Sequence, residues 1–210
     1  MKIEVQKIKK IINKNVILDD ISVEFVSGKI YGIKGKNGSG KTMFLRALCG
    51  LTRINAGKII IDGKYLGQDM DFPERVGFLI EYPGFPGGLN AFDNLKVLAS
   101  IKKCVSDEDI RDTISRVGLE NDAKKKYRQY SLGMKQKLGI AAAIMEKPEL
   151  ILLDEPMNGL DDDAVMKFKT ILQEEKERGA LIIIVSHDLE ELELVSDELY
   201  QMKEGRLEKK

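Results

Sequence analysis

The sequence predicts an α/β protein whose main sheet is mostly parallel, with an antiparallel β layer near the amino terminus and a helical segment in the middle. The glycine-rich stretch 35–42 lies between an apolar, strand-like run and a helix-like run. Two further runs, 150–153 and 181–185, are apolar throughout, which is typical of strands inside a parallel sheet. From 89 to 146 the apolar residues instead recur at helical spacing.

The first ninety residues are rich in strands with short connections. Apolar residues alternating with polar ones predict strands over 3–8 and 21–26, and short apolar runs predict strands over 30–34, 58–61 and 76–80. A helix over 41–49 ends at Gly50, a residue suited to the left-handed turn after a helix. The turn at Asp62-Gly63 is short, which favours antiparallel pairing in this part of the chain.

Residues 89–146 are predicted to form a helical insertion. Asn90 and Ser106 are suitable N-cap residues for its first two helices. A third helix begins near Ser131 and runs to about Glu146. The change from strand to helical spacing therefore indicates a separate helical layer.

After this insertion the α/β pattern resumes. Three carboxylates at 161–163 mark the start of a helix, where the helix dipole favours negative charge, and Gly179 ends it. A strand over 199–202 and a turn at Glu204-Gly205 follow. We expect these elements to complete the main sheet.

Composition disfavours several classes of protein. The chain has 210 residues, 43% of them hydrophobic and 32% charged, which suits a core-forming domain. Lys and Arg number 34, as do Asp and Glu, so no positive excess recruits nucleic acid. The apolar runs are far below the roughly 18 residues that span a bilayer, and the first residues do not read as a signal peptide. Cys49 and Cys104 lack metal-ligand spacing. We expect a cytoplasmic protein with reduced thiols.

The organising motif is the stretch 35–42, which matches the phosphate-binding pattern G-x-x-x-x-G-K-[ST], the P-loop. Its glycines allow tight turns, so the amides form an anion-binding nest at the positive end of the next helix. Lys41 is predicted to contact the outer phosphates of a nucleotide, and Thr42 to ligate Mg²⁺. The flanking strand and helix disfavour a chance glycine-rich turn. The candidate nucleotide-binding residues here are Gly35, Asn37, Gly38, Ser39, Gly40, Lys41, Thr42 and Met43.

A second motif is the apolar strand 151–153 followed by Asp154 and Glu155. In a protein with a P-loop this pattern is the Walker B motif. Asp154 is predicted to hold Mg²⁺, directly or through water, and Glu155 to polarise the attacking water as general base. His187, the only histidine, follows the strand 181–185. We interpret it as a sensor of the γ-phosphate, although a lone histidine in a turn is often only a surface residue.

A third motif is Tyr130-Ser131-Leu132-Gly133-Met134-Lys135-Gln136. It resembles the signature segment of the ATP-binding-cassette (ABC) family, usually written L-S-G-G-Q. Ser131 and Gly133 keep their positions, whereas Leu132 and Met134 replace the usual Gly and Gln. A helix that begins at a serine offers a hydroxyl, free amides and a positive dipole to a phosphate. The three motifs and His187 follow the family's order over nearly the whole chain.

The resemblance implies a P-loop NTPase with a RecA-like core, an antiparallel β subdomain and a helical subdomain. We expect a single ATP-binding domain over 1–210. Its core and β subdomain would take up 1–88 and 147–210, and its helical subdomain 89–146. The implied activity is ATP hydrolysis coupled to transport, with ATP and Mg²⁺ as cofactors.

The resemblance also implies a second cassette, because two cassettes of this family enclose two ATP molecules. Ser131 and Gly133 would contact the γ-phosphate bound by the partner cassette. Asp161 would be the acid that communicates between the two sites. A homodimer is the expected arrangement.

Two positions depart from the family pattern. Glu81 stands where the family usually has a Gln; we expect it near Mg²⁺ as a further ligand, although a Glu only accepts hydrogen bonds when ionised. The segment 80–85 resembles the subgroup that exports, or confers resistance to, bacitracin and lantibiotic-type peptides. The aromatic residue that usually stacks on adenine falls at about Ile11 or Ile12, so aromatic stacking is lost there.

A transport role requires a separate transmembrane permease subunit. Family geometry implies a docking groove between the Glu81 loop and the helical subdomain, with Tyr82, Phe85 and Phe92 as candidate anchors. Core packing is the stronger expectation for Phe92. The resemblance therefore implies a protein peripheral to the inner face of the cell membrane.

Two other functions are alternatives to transport. A GTPase is disfavoured because no [NT]-K-x-D motif follows the P-loop, and the segment 131–136 would have no role. A nontransport ABC ATPase that acts on a nucleic-acid or ribosomal partner stays open as the alternative. The balanced charge disfavours it, and the basic run 124–128 is better explained as a solvated helix end.

Overall fold

The computed structural model describes residues 1–81 and 83–210, so Tyr82, one of the three anchors suggested above, lies outside the described residues. The strands are β1 Lys2–Ile12, β2 Asn15–Val26, β3 Lys29–Lys34, β4 Ala56–Ile61, β5 Lys64–Tyr65, β6 Val76–Leu79, β7 Leu150–Asp154, β8 Leu181–Ser186, β9 Glu198–Lys203 and β10 Arg206–Lys209. The helices are α1 Lys41–Leu48, α2 Ala91–Lys102, α3 Asp107–Arg116, α4 Leu132–Ile144, α5 Asp162–Glu177 and α6 Leu189–Val195.

Within the described residues, six strands form the main sheet in the order β10-β9-β3-β8-β7-β6. Neighbouring strands are parallel except β9 and β10. The register pairs Lys34 of β3 with Ser186 of β8, and Val185 of β8 with Asp154 of β7. Three adjacent strands therefore end at one edge of the sheet, and the P-loop, the Walker B carboxylates and the histidine follow them there.

The main sheet separates two apolar cores, because side chains alternate between its two faces. Ile182 and Ile184 of β8 belong to one core, which α2 to α6 cover. Leu181, Ile183 and Val185 belong to the other, which α1 and the second sheet cover. All six residues of β8 are buried, as the unbroken apolar run predicts.

A second, antiparallel sheet has the order β2-β1-β4-β5. The first two predicted strands are parts of a longer hairpin, β1–β2, which turns at Asn13 and Lys14 with φ of 49° and 66°. Two residues with positive φ make the usual hairpin turn, although glycine is commoner there. The prediction ended the first strand early and began the second late, because bulge-like register shifts between Val5 and Ile11 break the apolar alternation.

The helical layer uses the predicted caps. The side chains of Asn90, Ser106 and Ser131 accept hydrogen bonds from the backbone N–H three residues later, at 2.9, 3.1 and 3.2 Å. Helix α6 is missing from the prediction because seven residues are too few to establish a helical period; Asp188 caps it. In the described parts of the chain, no helix combines the length and the hydropathy needed to cross a membrane.

Candidate functional site

The P-loop links β3 to α1 at the edge where the motif-bearing strands end. Gly40, with φ 109°, is the N-cap residue of α1, so the first amides of the helix are not occupied by a capping side chain. The Gly35 N–H donates to the carbonyl of Ser186 at 3.2 Å, which ties the loop to the end of β8. The loop is therefore held in place by the sheet beside it.

Lys41 brings a buried cation to the centre of the site. Lys41 is 5% exposed, and its Nζ donates a hydrogen bond to the Gly35 carbonyl at 2.5 Å. The same Nζ lies 3.5 Å from Oε1 of Glu155. The ammonium group is thus held between the P-loop backbone and a Walker B carboxylate.

Thr42 and Asp154 meet across α1 and β7. Thr42 Oγ1 donates to Asp154 Oδ2 at 2.6 Å, and Asp154 is 6% exposed. Burial raises the pKa of Asp154, and the charge of Glu155 raises it further. A partly buried hydroxyl beside a buried carboxylate fits a hard dication such as Mg²⁺. In the ranges 1–81 and 83–210 no group of three or more His, Cys, Asp and Glu side chains could hold a metal by itself.

Glu155 and His187 are in direct contact. Glu155 has φ 48°, a backbone conformation that residues other than glycine rarely adopt. Its Oε2 lies 2.8 Å from Nδ1 of His187 and 3.1 Å from Oγ of Ser186. Lys41 therefore contacts Oε1 of this carboxylate, and Ser186 and His187 contact Oε2.

Glu81 forms an ion pair at the outer side of the site. Its Oε1 accepts a hydrogen bond from the Arg46 guanidinium at 2.8 Å. Arg46 lies on α1, four residues after Thr42, so both project from one side of the helix. The spacing on α1 could have revealed this cation from the sequence.

These side chains line a cavity of about 500 Å³. Its lining includes ten of the predicted site residues, namely Asn37, Gly38, Ser39, Gly40, Lys41, Thr42, Met43, Glu81, Asp154 and Glu155. The structure adds residues that the sequence analysis did not select, namely Ile17, Lys36, Arg46, Gln136 and Asn158. Gly35 and His187 contact the lining through Lys41 and Glu155.

Ser131, Gly133 and Asp161 are not among the lining residues of this cavity. They lie together at the start of α4 and α5. A Cβ on Gly133 would collide with the carbonyl oxygen of Gly159, so α4 touches the loop before α5. The Asp161 side chain accepts the N–H of Ala164 at 2.9 Å.

Gln136 links the signature segment to the Walker B motif. Its side-chain amide donates to the backbone carbonyl of Glu155 at 2.9 Å, and the residue is 4% exposed. No sequence signal indicated this contact, because it depends on how α4 packs beside β7. The first turns of α4 are therefore hydrogen-bonded directly to the backbone of Glu155.

The suggested adenine-side residues are aliphatic and partly exposed. Ile11 and Ile12 are 38% and 37% exposed at the end of β1. Ile17 of β2, in contrast, lines the cavity itself. The described part of the cavity thus has an aliphatic wall on the side of the β1–β2 hairpin.

A family model described as "ABC transporter" matches residues 18–158. The uncharacterized ABC transporter ATP-binding protein YybJ of Bacillus subtilis (strain 168) is 51% identical over 98% of this chain and 94% of its own length. The bacitracin transport ATP-binding protein BcrA of Enterococcus faecalis is 37% identical, over 98% of this chain and 67% of its own. The lantibiotic transport ATP-binding protein SrtF of Streptococcus pyogenes is 36% identical, over 98% and 88%.

Solved structures agree on the fold. An ATP-binding subunit of an ABC transporter superposes with a TM-score of 0.89 at 26% identity, covering 100% of this chain and 90% of that one. A dimeric ATP-binding cassette in a post-hydrolysis state with ADP and Pi gives 0.87 at 21% identity, covering 99% and 98%. The predicted fold class is confirmed.

Proposed function

The chain belongs to the ABC transporter family as an ATP-binding ATPase subunit, and from this premise we propose that it hydrolyses ATP between paired cassettes to drive a separate membrane subunit. The observation that carries the proposal is the buried Lys41 ammonium, which lies between the P-loop carbonyl of Gly35 and the Glu155 carboxylate. In this proposal Lys41 is the phosphate-binding cation, and Glu155 beside it is the base that activates water.

In this proposal the chain's own side chains divide the work of phosphoryl transfer. Lys41 and the P-loop amides bind the β- and γ-phosphates. Glu155 accepts a proton from the attacking water, and His187, in contact with Glu155, stabilises the γ-phosphate. The P-loop set named from the sequence, from Gly35 to Met43, forms the nucleotide site.

Mg²⁺ would be held by Thr42 and Asp154, where it would neutralise charge on the phosphates. Glu81 is proposed as a further ligand. In the structure its carboxylate is paired with Arg46, so ligation requires that Glu81 exchange this partner. The pair is exposed, and an exposed ion pair contributes only about 0–1 kcal/mol, which makes the exchange energetically modest.

Cassette pairing is proposed through the surface at the start of α4 and α5. Ser131 and Gly133 would complete the nucleotide site of a partner copy, and Asp161 would lie between the two sites. The contact of Gly133 with Gly159 supports a shared surface for these groups. We further propose one domain, with 1–88 and 147–210 as core and β subdomain and 89–146 as helical subdomain.

The pairing is tested with the Glu155→Gln variant, which we expect to bind ATP but to turn over almost none of it. Its solution mass with Mg-ATP should be that of a dimer, and with Mg-ADP that of a monomer. Ser131→Arg in the same background should prevent the dimer while ATP still binds. Near-normal turnover by Glu155→Gln would contradict the role of Glu155, and a monomer with bound ATP would contradict homodimerisation by this chain alone.

Export of a peptide antibiotic is proposed from the relatives named for bacitracin and lantibiotic transport. A groove of about 360 Å³ supports a docked permease: β6, the loop after Glu81, α2 and α4 line it, with Phe78, Phe85 and Ile101 among the contributors. Phe78 and Ile101 are 45% and 76% exposed. Docking there would hold the chain at the inner face of the membrane.

Phe85 tests the docking groove. Its ring packs edge-on against Tyr127 at 5.4 Å between centroids, while the residue stays partly exposed in the groove. We expect Phe85→Ala to reduce co-purification of the hydrophobic subunit from solubilised membranes and to leave the ATPase rate of the isolated chain intact. Phe72→Ala, which removes an exposed ring elsewhere, is the matched control. Unchanged co-purification would remove Phe85 from the interface.

A further inference from the structure

The end of β8 and the start of α6 hold two polar side chains to which the mechanism above gives no role. Ser186 is the last residue of β8 and has no exposed surface. Glu191 lies in the first turn of α6 and is partly buried. Ser186 Oγ lies 3.1 Å from Oε2 of Glu155 and 2.9 Å from Oε2 of Glu191. One buried hydroxyl thus bridges the proposed general base and a second carboxylate.

The hydrogen-bond count at Ser186 decides how this bridge is arranged. A serine hydroxyl has one proton to donate and two lone pairs that accept. One lone pair accepts the N–H of Asp188 at 3.1 Å. The single proton serves one carboxylate, so the other must bring its own proton or face the hydroxyl oxygen as a repulsive contact.

A proton on Glu191 satisfies every contact in the group. Glu191 then donates to Ser186 Oγ, and Ser186 donates to the carboxylate of Glu155. Burial raises the pKa of Glu191, and the charges of Asp188 and Glu155 act in the same direction, against the Ser186 hydrogen bond and His187. The surroundings of Glu191 therefore favour its neutral form.

Ser186 is more deeply buried than His187, the other side chain that contacts Oε2 of Glu155. Its backbone belongs to a fully buried strand, and its carbonyl accepts the N–H of Gly35 in the P-loop. His187, the other partner of the same carboxylate oxygen, has a side chain that is 54% exposed. Ser186 is therefore the partner that can fix the carboxylate to the sheet.

We propose that Ser186 and Glu191 are positioning residues for the general base: Glu191 donates a hydrogen bond to the Ser186 hydroxyl, which in turn donates to Glu155 and holds its carboxylate toward the attacking water. This inference rests on the proposed role of Glu155. Neither residue touches the nucleotide in this assignment, so their loss should lower kcat and leave ATP binding intact.

The experiment compares variants of the purified chain in Mg-ATP hydrolysis, ATP affinity and thermal unfolding. A hydrogen bond to a charged group is lost in Ser186→Ala, so we expect kcat to fall about tenfold or more with unchanged ATP affinity; Ser186→Thr should restore most of it. Glu191→Gln keeps a hydrogen-bond donor for Ser186, whereas Glu191→Leu keeps a side chain of similar size without a donor. We expect Glu191→Leu to be about tenfold slower than Glu191→Gln. Glu190→Leu, an exposed neighbour on α6, is the matched control.

The double variant Ser186→Ala/Glu191→Leu should be no slower than Ser186→Ala, because both residues act through one hydroxyl. Additive losses, or equal rates for Glu191→Gln and Glu191→Leu, would overturn the proposal; should Ser186→Ala not fold, the two Glu191 variants decide alone. The Glu155→Gln variant distinguishes a failure of the proposed function from a failure of the positioning role. If it keeps normal turnover, the proposed function fails; if it is inactive while Ser186→Ala is normal, only the positioning role fails.

Discussion

At the scale of single residues, the site is a set of opposed charges in short contacts. Lys41 meets Glu155, Arg46 meets Glu81, and the Thr42 hydroxyl meets Asp154. The Lys41 cation is almost fully buried, and a buried charge requires a partner of opposite charge or several hydrogen bonds. Phosphate oxygens are suitable partners because they offer both.

Lys41→Ala tests the assignment of the P-loop. Removing the buried ammonium takes away a charged hydrogen-bond donor worth about 1.5–3 kcal/mol. We therefore expect ATP affinity to fall by about tenfold or more, measured by titration with a fluorescent nucleotide. Lys36→Ala removes an exposed cation from the same loop and should change affinity far less. Equal affinities for Lys41→Ala and the unaltered chain would contradict the assignment.

At the scale of elements, the position of the signature segment depends on how α4 packs against β6 and β7. Gly77 of β6 lies directly under α4, and a Cβ there would collide with the backbone carbonyl of Ala143 and lie 2.8 Å from Cγ of Pro148. The same helix begins at Ser131 and donates to Glu155 through Gln136. A shift of α4 would therefore move both Ser131 and Gln136.

Gly77→Ala should separate α4 from β6. Overpacking of this kind costs about 1–3 kcal/mol, and we expect the melting temperature to fall by about 2–4 °C per kcal/mol in a chain of this size. Gly88→Ala adds the same methyl group where the structure has open space and should leave the melting temperature nearly unchanged. Equal melting temperatures for the two variants would show that α4 adapts without cost.

At the scale of the whole molecule, ion pairs join the edge of the main sheet to its interior. Glu198 of β9 accepts hydrogen bonds from Lys209 of β10 at 2.8 Å and from Lys29 of β3 at 2.6 Å. Hydrogen bonds from Lys209 and Lys29 lower the pKa of Glu198 from 4.5 to about 2. Because the folded pKa is depressed, this stabilisation is present above pH 4.5 and is lost as the pH falls toward about 2.

Glu198→Gln should therefore destabilise the protein at neutral pH and not in strong acid. We expect a loss of about 1 kcal/mol at pH 7, since the pair lies near the surface, and convergence with the unaltered chain near pH 2. Thermal unfolding across this pH range measures the difference. Glu208→Gln, on the exposed strand β10, is the control with no such dependence. A constant difference at all pH values would show that charge is not the cause.

Prediction from sequence succeeded where local chemistry decides the structure. The strand–loop–helix around Gly35 to Thr42, the caps Asn90, Ser106 and Ser131, and the fully apolar strand 181–185 all follow from spacing and residue type. For the caps, neighbours along the chain supply the determining contacts; the strand 181–185 pairs with distant strands, but its unbroken apolar run makes it recognisable.

Some of the features that sequence did not reveal depend on distant parts of the chain. Gln136 reaches the backbone of Glu155 because α4 packs beside β7. The contact of Glu191 with Ser186 is local, five residues along the chain, but it depends on the turn between β8 and the short helix α6, which was not predicted. The β1–β2 hairpin was underestimated because its bulges hide the alternation. The roles assigned to Ser131, Gly133, Asp161 and Glu81 stay predictions.

If Lys41 and Glu155 have the roles proposed above, their contact implies that ATP binding itself prepares the site for hydrolysis. An ammonium group has three donors, and Lys41 directs donors to the carbonyls of Gly35 and, at 3.4 Å, Lys36. A triphosphate competes for the rest with more charge than a carboxylate has. Glu155 then changes from a counter-ion into a carboxylate free to bind water, while Ser186 and His187 still hold its other oxygen. The substrate itself would therefore complete the catalytic group, and futile activation of water between turnovers is reduced.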